Sequence, residues 1–78
     1  MVTHTNLKAM KTLFNVVVMD FSDVTVKQYQ MTQEDFDANK YDEDLDDNDV
    51  VEQYIDSLGH NLNECQWMFS ENEITFEL

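Results

Sequence analysis

The chain has 78 residues and a formal net charge of −13, from 17 acidic residues against four lysines and no arginine. With so few cations it is not expected to bind nucleic acid through phosphate contacts, or to bind an anionic membrane surface. A chain of this length forms one domain with a small core, and its single cysteine, Cys65, excludes an intramolecular disulfide.

The N-terminal residues carry only a weak pattern. We predict that residues 1–11 form a loosely ordered extension and that residues 12–78 form a single acidic α+β domain. The longest apolar run, residues 14–21, is interrupted by Asn15 and Asp20, so neither a signal peptide nor a membrane span is expected. Together with the lone cysteine, this favours a reducing, cytoplasmic location.

Two strands are predicted next. Residues 13–20 are rich in β-branched and aromatic side chains and apolar on both faces, which is typical of a central strand. Residues 21–23 form a turn, and residues 24–31 alternate, with Val24 and Val26 on one face and Thr25, Lys27 and Tyr29 on the other. The pattern predicts an antiparallel hairpin.

A short helix should follow the hairpin. Thr32 and Asp35 have the spacing of a capping box, with aspartate in place of the usual glutamate or glutamine. The helix is expected over residues 33–38, with Phe36 as its apolar anchor, and residues 39–47 as a loop. Tyr41 and Leu45 are the side chains of that loop that could turn inward.

A second helix is predicted over residues 50–58. Asp49 is a suitable N-cap, with Glu52 at the reciprocal position. Gly59, the only glycine, stands where a left-handed C-terminal cap is needed. The i, i+3, i+4, i+7 spacing of a buried stripe is followed by Val51, Tyr54, Ile55 and Leu58.

The C-terminal part alternates twice, over residues 64–69 and 73–78, with a turn at residues 70–72. This pattern predicts a second hairpin with one solvated face. The expected fold is therefore α+β: a small antiparallel sheet of about four strands in the order ββ-α(α)-ββ, with one main amphipathic helix packed on one face.

The most distinctive stretch is the acidic one between residues 34 and 56. Its acids lie beside a predicted helix, so they are expected to be displayed outward on folded structure, with Tyr41 as an exposed aromatic anchor for a partner. Asp49, Glu52 and Asp56, at i, i+3 and i+7 on the side opposite the apolar stripe, could imitate a row of phosphates. The predicted partner-binding residues, called the acidic surface below, are Glu34, Asp35, Asp37, Tyr41, Asp42, Glu43, Asp44, Asp46, Asp47, Asp49, Glu52 and Asp56.

Other chemistry is poorly supported by the sequence. Asp42, Asp44 and Asp46 match the first positions of a calcium loop, but Asp47 replaces its glycine and Gln53 its final glutamate. A second frame that starts at residue 35 has a lysine at the glycine position. His4, His60 and Cys65 form no recognisable catalytic motif. Cys65 is expected to be a small buried hydrophobic residue, and His60, just past the second helix, is expected to be a charge partner for the C-terminal end of that helix. We expect no enzymatic activity, no cofactor and no dedicated metal site.

In size, charge and acidic surface, the chain resembles the small acidic inhibitors encoded by bacteriophages, such as anti-CRISPR proteins, anti-restriction proteins and uracil-DNA glycosylase inhibitors that mimic DNA. That resemblance implies an inhibitor in the host cytosol, monomeric or homodimeric, that occupies the basic DNA- or RNA-binding site of a host protein. The alternative is a calcium-binding protein, or a non-mimetic interaction adaptor whose acids provide solubility.

Overall fold

A computed structural model of the chain describes residues 11–77. Residues 1–10 of the predicted extension lie outside the described residues, and so does Leu78; Lys11 is described. The described elements are β1 (Thr12–Asp20), β2 (Thr25–Thr32), α1 (Gln33–Asn39), α2 (Asp47–Ser57), a 3-10 turn (Leu62–Glu64) and β3 (Cys65–Ser70).

The strands form one antiparallel sheet in the order β2-β1-β3. This arrangement confirms the α+β class and the central position of β1. The run Val16-Val17-Val18 explains that position, because all three side chains are buried although they alternate between the two faces. β-Branched residues pack well on a pleated surface that is covered from both sides.

The even-numbered side chains of β1 point into the core that the sheet shares with both helices. Phe14 lies against Phe36 of α1 and against Phe69 of β3, with ring centroids 6.1 and 5.1 Å apart. The same buried cluster contains four residues of α2, namely Val50, Val51, Tyr54 and Ile55. The two helices therefore form a single layer on one side of the sheet.

Helix α1 begins as predicted. The Thr32 hydroxyl accepts the Asp35 amide at 3.1 Å, and the Asp35 carboxylate accepts the Thr32 amide at 3.0 Å, which completes the capping box. The helix extends one residue beyond the predicted end, to Asn39.

The predicted start of α2 is wrong by three residues. The helix begins at Asp47 and its N-cap is Asp46, whose carboxylate accepts the Asp49 amide at 2.9 Å. Leu45 before the cap and Val50 four residues after it both belong to the core cluster, as in a hydrophobic staple that sets the entry of a helix. The prediction of Gly59 as a left-handed residue is confirmed, with a φ of 97° just beyond the helix.

The predicted fourth strand is not observed. The described sheet has three strands, β3 pairs with β1 rather than with the C-terminal segment, and residues 73–77 have no regular secondary structure. Instead the segment lies over the sheet, where the Asn15 side-chain amide donates to the Asn72 carbonyl at 3.0 Å. Ile74 and Phe76 line a groove with Val17 and so contact apolar surface without strand pairing.

No helix within residues 11–77 is long and apolar enough to cross a membrane.

Candidate functional site

The acidic surface is accessible to solvent along its whole length. Asp35, Asp49 and Glu52 are partly buried, and the other nine residues are exposed. Tyr41 is 72% exposed, so it stands outside the core as an aromatic side chain among carboxylates, whereas Leu45 of the same loop turns inward. The structure therefore places the predicted residues together on α1, the connecting loop and α2.

Several of these carboxylates are held by hydrogen bonds to the backbone of their own segment. Asp35 completes the α1 capping box, Asp46 caps α2, and Asp42 accepts the Asp44 amide at 2.9 Å in a turn. Such local bonds are the reason aspartate is favoured at caps and turns. Each of the three therefore has a defined position on the surface.

Two further acids are held by side-chain amides one helical turn away. Gln33 donates to Asp37 at 3.0 Å on α1, and Asn48 donates to Glu52 at 3.0 Å on α2. In all five cases the recorded bond engages one carboxylate oxygen of the acid. The negative charge is therefore positioned without being neutralised.

No lysine within residues 11–77 forms an ion pair with the acidic surface, because the only ion pair described there joins Asp20 and His60. Lys40, the one cation between the two helices, lies with its Nζ 5.8 Å from the Phe36 ring centroid. Unpaired carboxylates at this density repel one another and project a negative field that favours a basic partner.

The described residues do not form the partial calcium loop suggested by the sequence. Asp42 and Asp46 each use an oxygen on a backbone amide, and these acids are not gathered around a common point. The one group of potential metal ligands found in residues 11–77 is elsewhere, at Asp20, His60 and Cys65.

That second group is a buried polar network at one end of the sheet. His60 Nδ1 lies 2.6 Å from Asp20 Oδ2, and His60 Nε2 lies 2.7 Å from the Tyr29 hydroxyl oxygen. An imidazole with its proton on Nδ1 satisfies both contacts, since it donates to the carboxylate and accepts from the hydroxyl. His60 was predicted to be a charge partner for the end of α2, and instead it is buried.

Asp20 is held as a carboxylate by this environment. Hydrogen bonds from the Ser22 hydroxyl and then from His60 keep the Asp20 pKa well below its ordinary value, with smaller contributions from two backbone amides. The pKa of the Cys65 thiol is raised, first by burial and then by the neighbouring Asp20 carboxylate. A protonated, buried thiol is a poor nucleophile, so this cysteine is a structural residue.

The ligand atoms of Asp20, His60 and Cys65 lie within 4.8 Å of one another, which is close enough to suggest a metal site. The 2.6 Å separation of Asp20 and His60, however, is a hydrogen-bond distance. Two ligands bonded to zinc at about 2.0–2.2 Å in a tetrahedron lie more than about 3 Å apart. Both nitrogens of His60 and both oxygens of Asp20 are already engaged, and we therefore assign this network to structure.

The sequence contained a signal for the network that the predictions did not use. Asp20 continues the even-numbered series Phe14, Val16 and Val18, so strand alternation alone places its carboxylate on the core face. A carboxylate there needs buried donors. The register then brings Asp20 opposite Thr25 and Cys65, which no local pattern indicates.

Comparison with protein-family models, with curated proteins and with solved structures found no match for this chain.

Proposed function

We propose that this protein is an acidic inhibitor that acts in a host bacterial cytosol by occupying the basic DNA- or RNA-binding site of a host protein. The observation that supports this function is the acidic surface: its carboxylates are exposed or half-exposed, several are held in place by hydrogen bonds, and none is paired with a described lysine. Charge that is fixed in position is what a phosphate-binding groove recognises.

The spacing on α2 fits this function. Asp49, Glu52 and Asp56 advance along the helix axis by about 4.5 and 6 Å. Successive phosphates on one strand of a duplex lie about 6–7 Å apart. The loop acids extend this row beyond the start of the helix, toward the acids of α1.

Tyr41 supplies the contact that charge alone does not. Charges at the rim of an interface mainly raise the association rate, whereas slow dissociation requires a desolvated anchor. Its 72% exposure beside carboxylates fits an aromatic ring that becomes buried in the complex.

The proposal is tested with the host protein that the chain captures from a nuclease-treated bacterial lysate. We expect a DNA or RNA duplex and this chain to compete for the purified host protein. We also expect the affinity of this chain for the host protein to fall as salt rises. Simultaneous binding of both ligands would rule out competitive mimicry.

A charge-matched pair of variants separates fixed phosphate-like acids from general negative charge. Asparagine at positions 42, 44, 46 and 47 removes four charges and keeps both the turn and the cap, since asparagine also serves at these positions. The control removes four exposed acids outside the acidic surface: Asp23→Asn, Glu71→Gln, Glu73→Gln and Glu77→Gln. We expect the first variant to lose about 30-fold or more in affinity and the control less than about 3-fold.

The alternative function, an adaptor whose acids only provide solubility, predicts that both variants bind the captured protein like the parent chain. A calcium role predicts heat and a raised melting temperature on titration with calcium at physiological salt. Asp42, Asp44 and Asp46 do not converge in the structure, so we expect neither signal.

A further inference from the structure

The two edges of the described sheet differ in how they are protected against pairing with another strand. β2 forms one edge and β3 the other, with β1 between them. The β2 edge carries Lys27, and its register with β1 is irregular near Thr12. Val24, directly before β2, has a left-handed φ of 56°, which ends the extended backbone there. A lysine and an irregular register are devices that keep other strands from adding to an edge.

The β3 edge has neither device. Its six residues, Cys65–Ser70, include no charged residue and no proline, and the register between β3 and β1 is regular. Six residues is the usual length of a strand, so the edge is not protected by being short. In a chain with 17 acidic residues, an uncharged strand at the edge of the sheet is a template for pairing with another chain.

The backbone of this edge is available for hydrogen bonding. In an antiparallel ladder, every second residue turns its N–H and C=O groups away from the neighbouring strand. In the part of the chain that the structure describes, residues 66–70 make backbone hydrogen bonds to β1 only. About two or three donors and as many acceptors therefore point outward from β3, and the chemistry that satisfies such a row is an extended backbone.

The C-terminal segment does not satisfy these groups. After Ser70 the chain turns back over the sheet, where the Asn15 side-chain amide of β1 donates to the Asn72 carbonyl. Ile74 and Phe76 then line the groove over the side chains of the sheet. The segment therefore covers part of the face of the sheet and is not hydrogen-bonded to the outer backbone of β3.

Apolar side chains stand on both sides of the β3 edge. Trp67 and Phe69, on the helical side, are only half-buried, and Met68, on the other side, is 54% exposed. A strand added at this edge would place alternate side chains beside these residues. In recognition by strand addition, the backbone bonds supply affinity and side-chain contacts of this kind supply specificity.

The charges around β3 indicate the kind of strand that fits. Glu64 directly precedes β3, Glu71 and Glu73 follow it, and all three are exposed, whereas no lysine of residues 11–77 lies within β3 or beside it in the chain. Lysine or arginine at the ends of an added strand would therefore meet opposite charge. A second copy of β3 fits poorly, because antiparallel self-pairing would set each Glu64 near a Glu71.

We propose that the outer edge of β3 binds an extended segment of another protein, which adds as a fourth, antiparallel strand and carries lysine or arginine at both ends. The antiparallel orientation is chosen because it is slightly more stable per residue than the parallel one. The proposal does not depend on the proposed function, since the acidic surface lies on the helices and their connecting loop, and a synthetic peptide tests it without a host protein.

The probe is a ten-residue peptide with six alternating threonine and valine residues and a Lys-Arg pair at each end. We expect it to bind the full chain at about 150 mM salt with a Kd in the micromolar range. Binding should slow amide hydrogen exchange, followed by NMR, at residues 66–70 and not at residues 25–32. A peptide with proline at two alternate core positions lacks donors and should bind about 10-fold more weakly, as should one with glutamate at the four basic positions.

A matched pair of substitutions distinguishes the two edges. Gln66 of β3 and Gln28 of β2 are both exposed on the side of the sheet away from the helices, so a lysine at either position adds the same charge. Gln66→Lys stands beside the bound peptide and should weaken it about 10-fold. Gln28→Lys lies two strand spacings of about 4.8 Å farther away, about one Debye length, and should weaken it less than about 3-fold.

The variant with asparagine at positions 42, 44, 46 and 47 separates this edge from the acidic surface, and it should bind the peptide within about 3-fold of the parent chain. A larger loss would place the peptide on the acidic surface and overturn the proposal. No binding at 1 mM peptide, equal binding of the proline peptide, or slowed exchange at residues 25–32 instead of 66–70 would also overturn it, as would a larger effect of Gln28→Lys than of Gln66→Lys.

Discussion

The two sides of the described sheet have opposite chemistry. The helical layer encloses the core and carries fixed, exposed acids on its outer surface, whereas the strands carry no charged side chain on the side away from the helices and expose Met19, Val26 and Met68 there. The C-terminal segment that crosses this second side carries Glu71, Glu73 and Glu77. The difference teaches that a strongly charged small protein can keep its strands uncharged on one side when most of its carboxylates stand on the helical layer.

The largest expected effect comes from truncating apolar side chains on the two sides. Ile55→Ala removes a fully buried side chain of α2 and should lower the free energy of unfolding by about 3 kcal/mol, since a cavity adds to the lost burial. Met68→Ala on the side of the sheet away from the helices, where the side chain is 54% exposed, should cost less than about 1 kcal/mol. Urea denaturation at about 1 µM protein measures both. Equal losses would mean that Met68 is packed as tightly as the residues of the core.

The next effect concerns the polar network between the two layers. The Asp20 pKa is lowered in the folded state from its ordinary value of 3.8, so the stability contributed by its carboxylate is fully present above pH 4. That contribution is lost progressively as the pH falls toward the lower folded-state pKa. We therefore expect the stability advantage of the parent chain over Asp20→Asn to shrink as the pH falls below 4.

Comparing the two chains at each pH cancels the relief of repulsion among the other acids, which both share. Urea denaturation between pH 2.5 and pH 7 gives the difference directly. An advantage that grew as the pH fell below 4 would contradict the assignment of Asp20 as a hydrogen-bonded carboxylate.

A smaller effect tests whether the acids stand on a fixed helix. Thr32→Ala removes the hydroxyl that accepts the Asp35 amide and should cost about 1 kcal/mol. Thr32→Ser keeps the hydroxyl and is the matched control, expected within about 0.5 kcal/mol of the parent chain. Thermal melting followed by circular dichroism compares them, and equal losses in the two variants would show that the cap does not hold α1.

The smallest effect has the opposite sign. Val24→Asn should raise the free energy of unfolding by somewhat under 1 kcal/mol, because asparagine tolerates a left-handed φ, whereas Val24→Thr keeps the β-branch and should give no gain. A rise of about 3–6 °C in melting temperature is expected for the asparagine variant. If it melts lower, the Val24 side chain contributes packing that outweighs the strain of its backbone.

Sequence reasoning succeeded where the deciding interactions are local. The capping box at Thr32, the left-handed Gly59 and the strand predicted over residues 13–20 depend on neighbours within a few residues, and the structure contains all three, with the strand one residue longer at its start. The predicted start of α2 was wrong because Asp46 and Asp49 are both suitable N-caps. The burial of Leu45 then favoured the earlier one, and burial is a tertiary property.

The exposure of the acidic surface was predictable, because burying the carboxylates of a loop or a helix start without a partner would cost too much free energy. The buried network and the C-terminal segment were not. Asp20, Tyr29, His60 and Cys65 come from separate parts of the chain. Strand register aligns Asp20 with Cys65, and the connection after α2 brings His60 against Asp20 and Tyr29. Residues 73–77 alternate like a strand, but apolar contact over the sheet takes the place of pairing at its edge.

By itself, then, the amino-acid sequence determined the α+β class, the central strand, the α1 capping box and the negative charge displayed by the middle of the chain, since each depends on residue type and short-range spacing. Tertiary structure alone decided that the described sheet has three strands, that His60 is buried against Asp20, and that the C-terminal segment crosses the sheet without pairing with it. These features depend on which distant residues become neighbours, and that is settled by the packing of the whole chain.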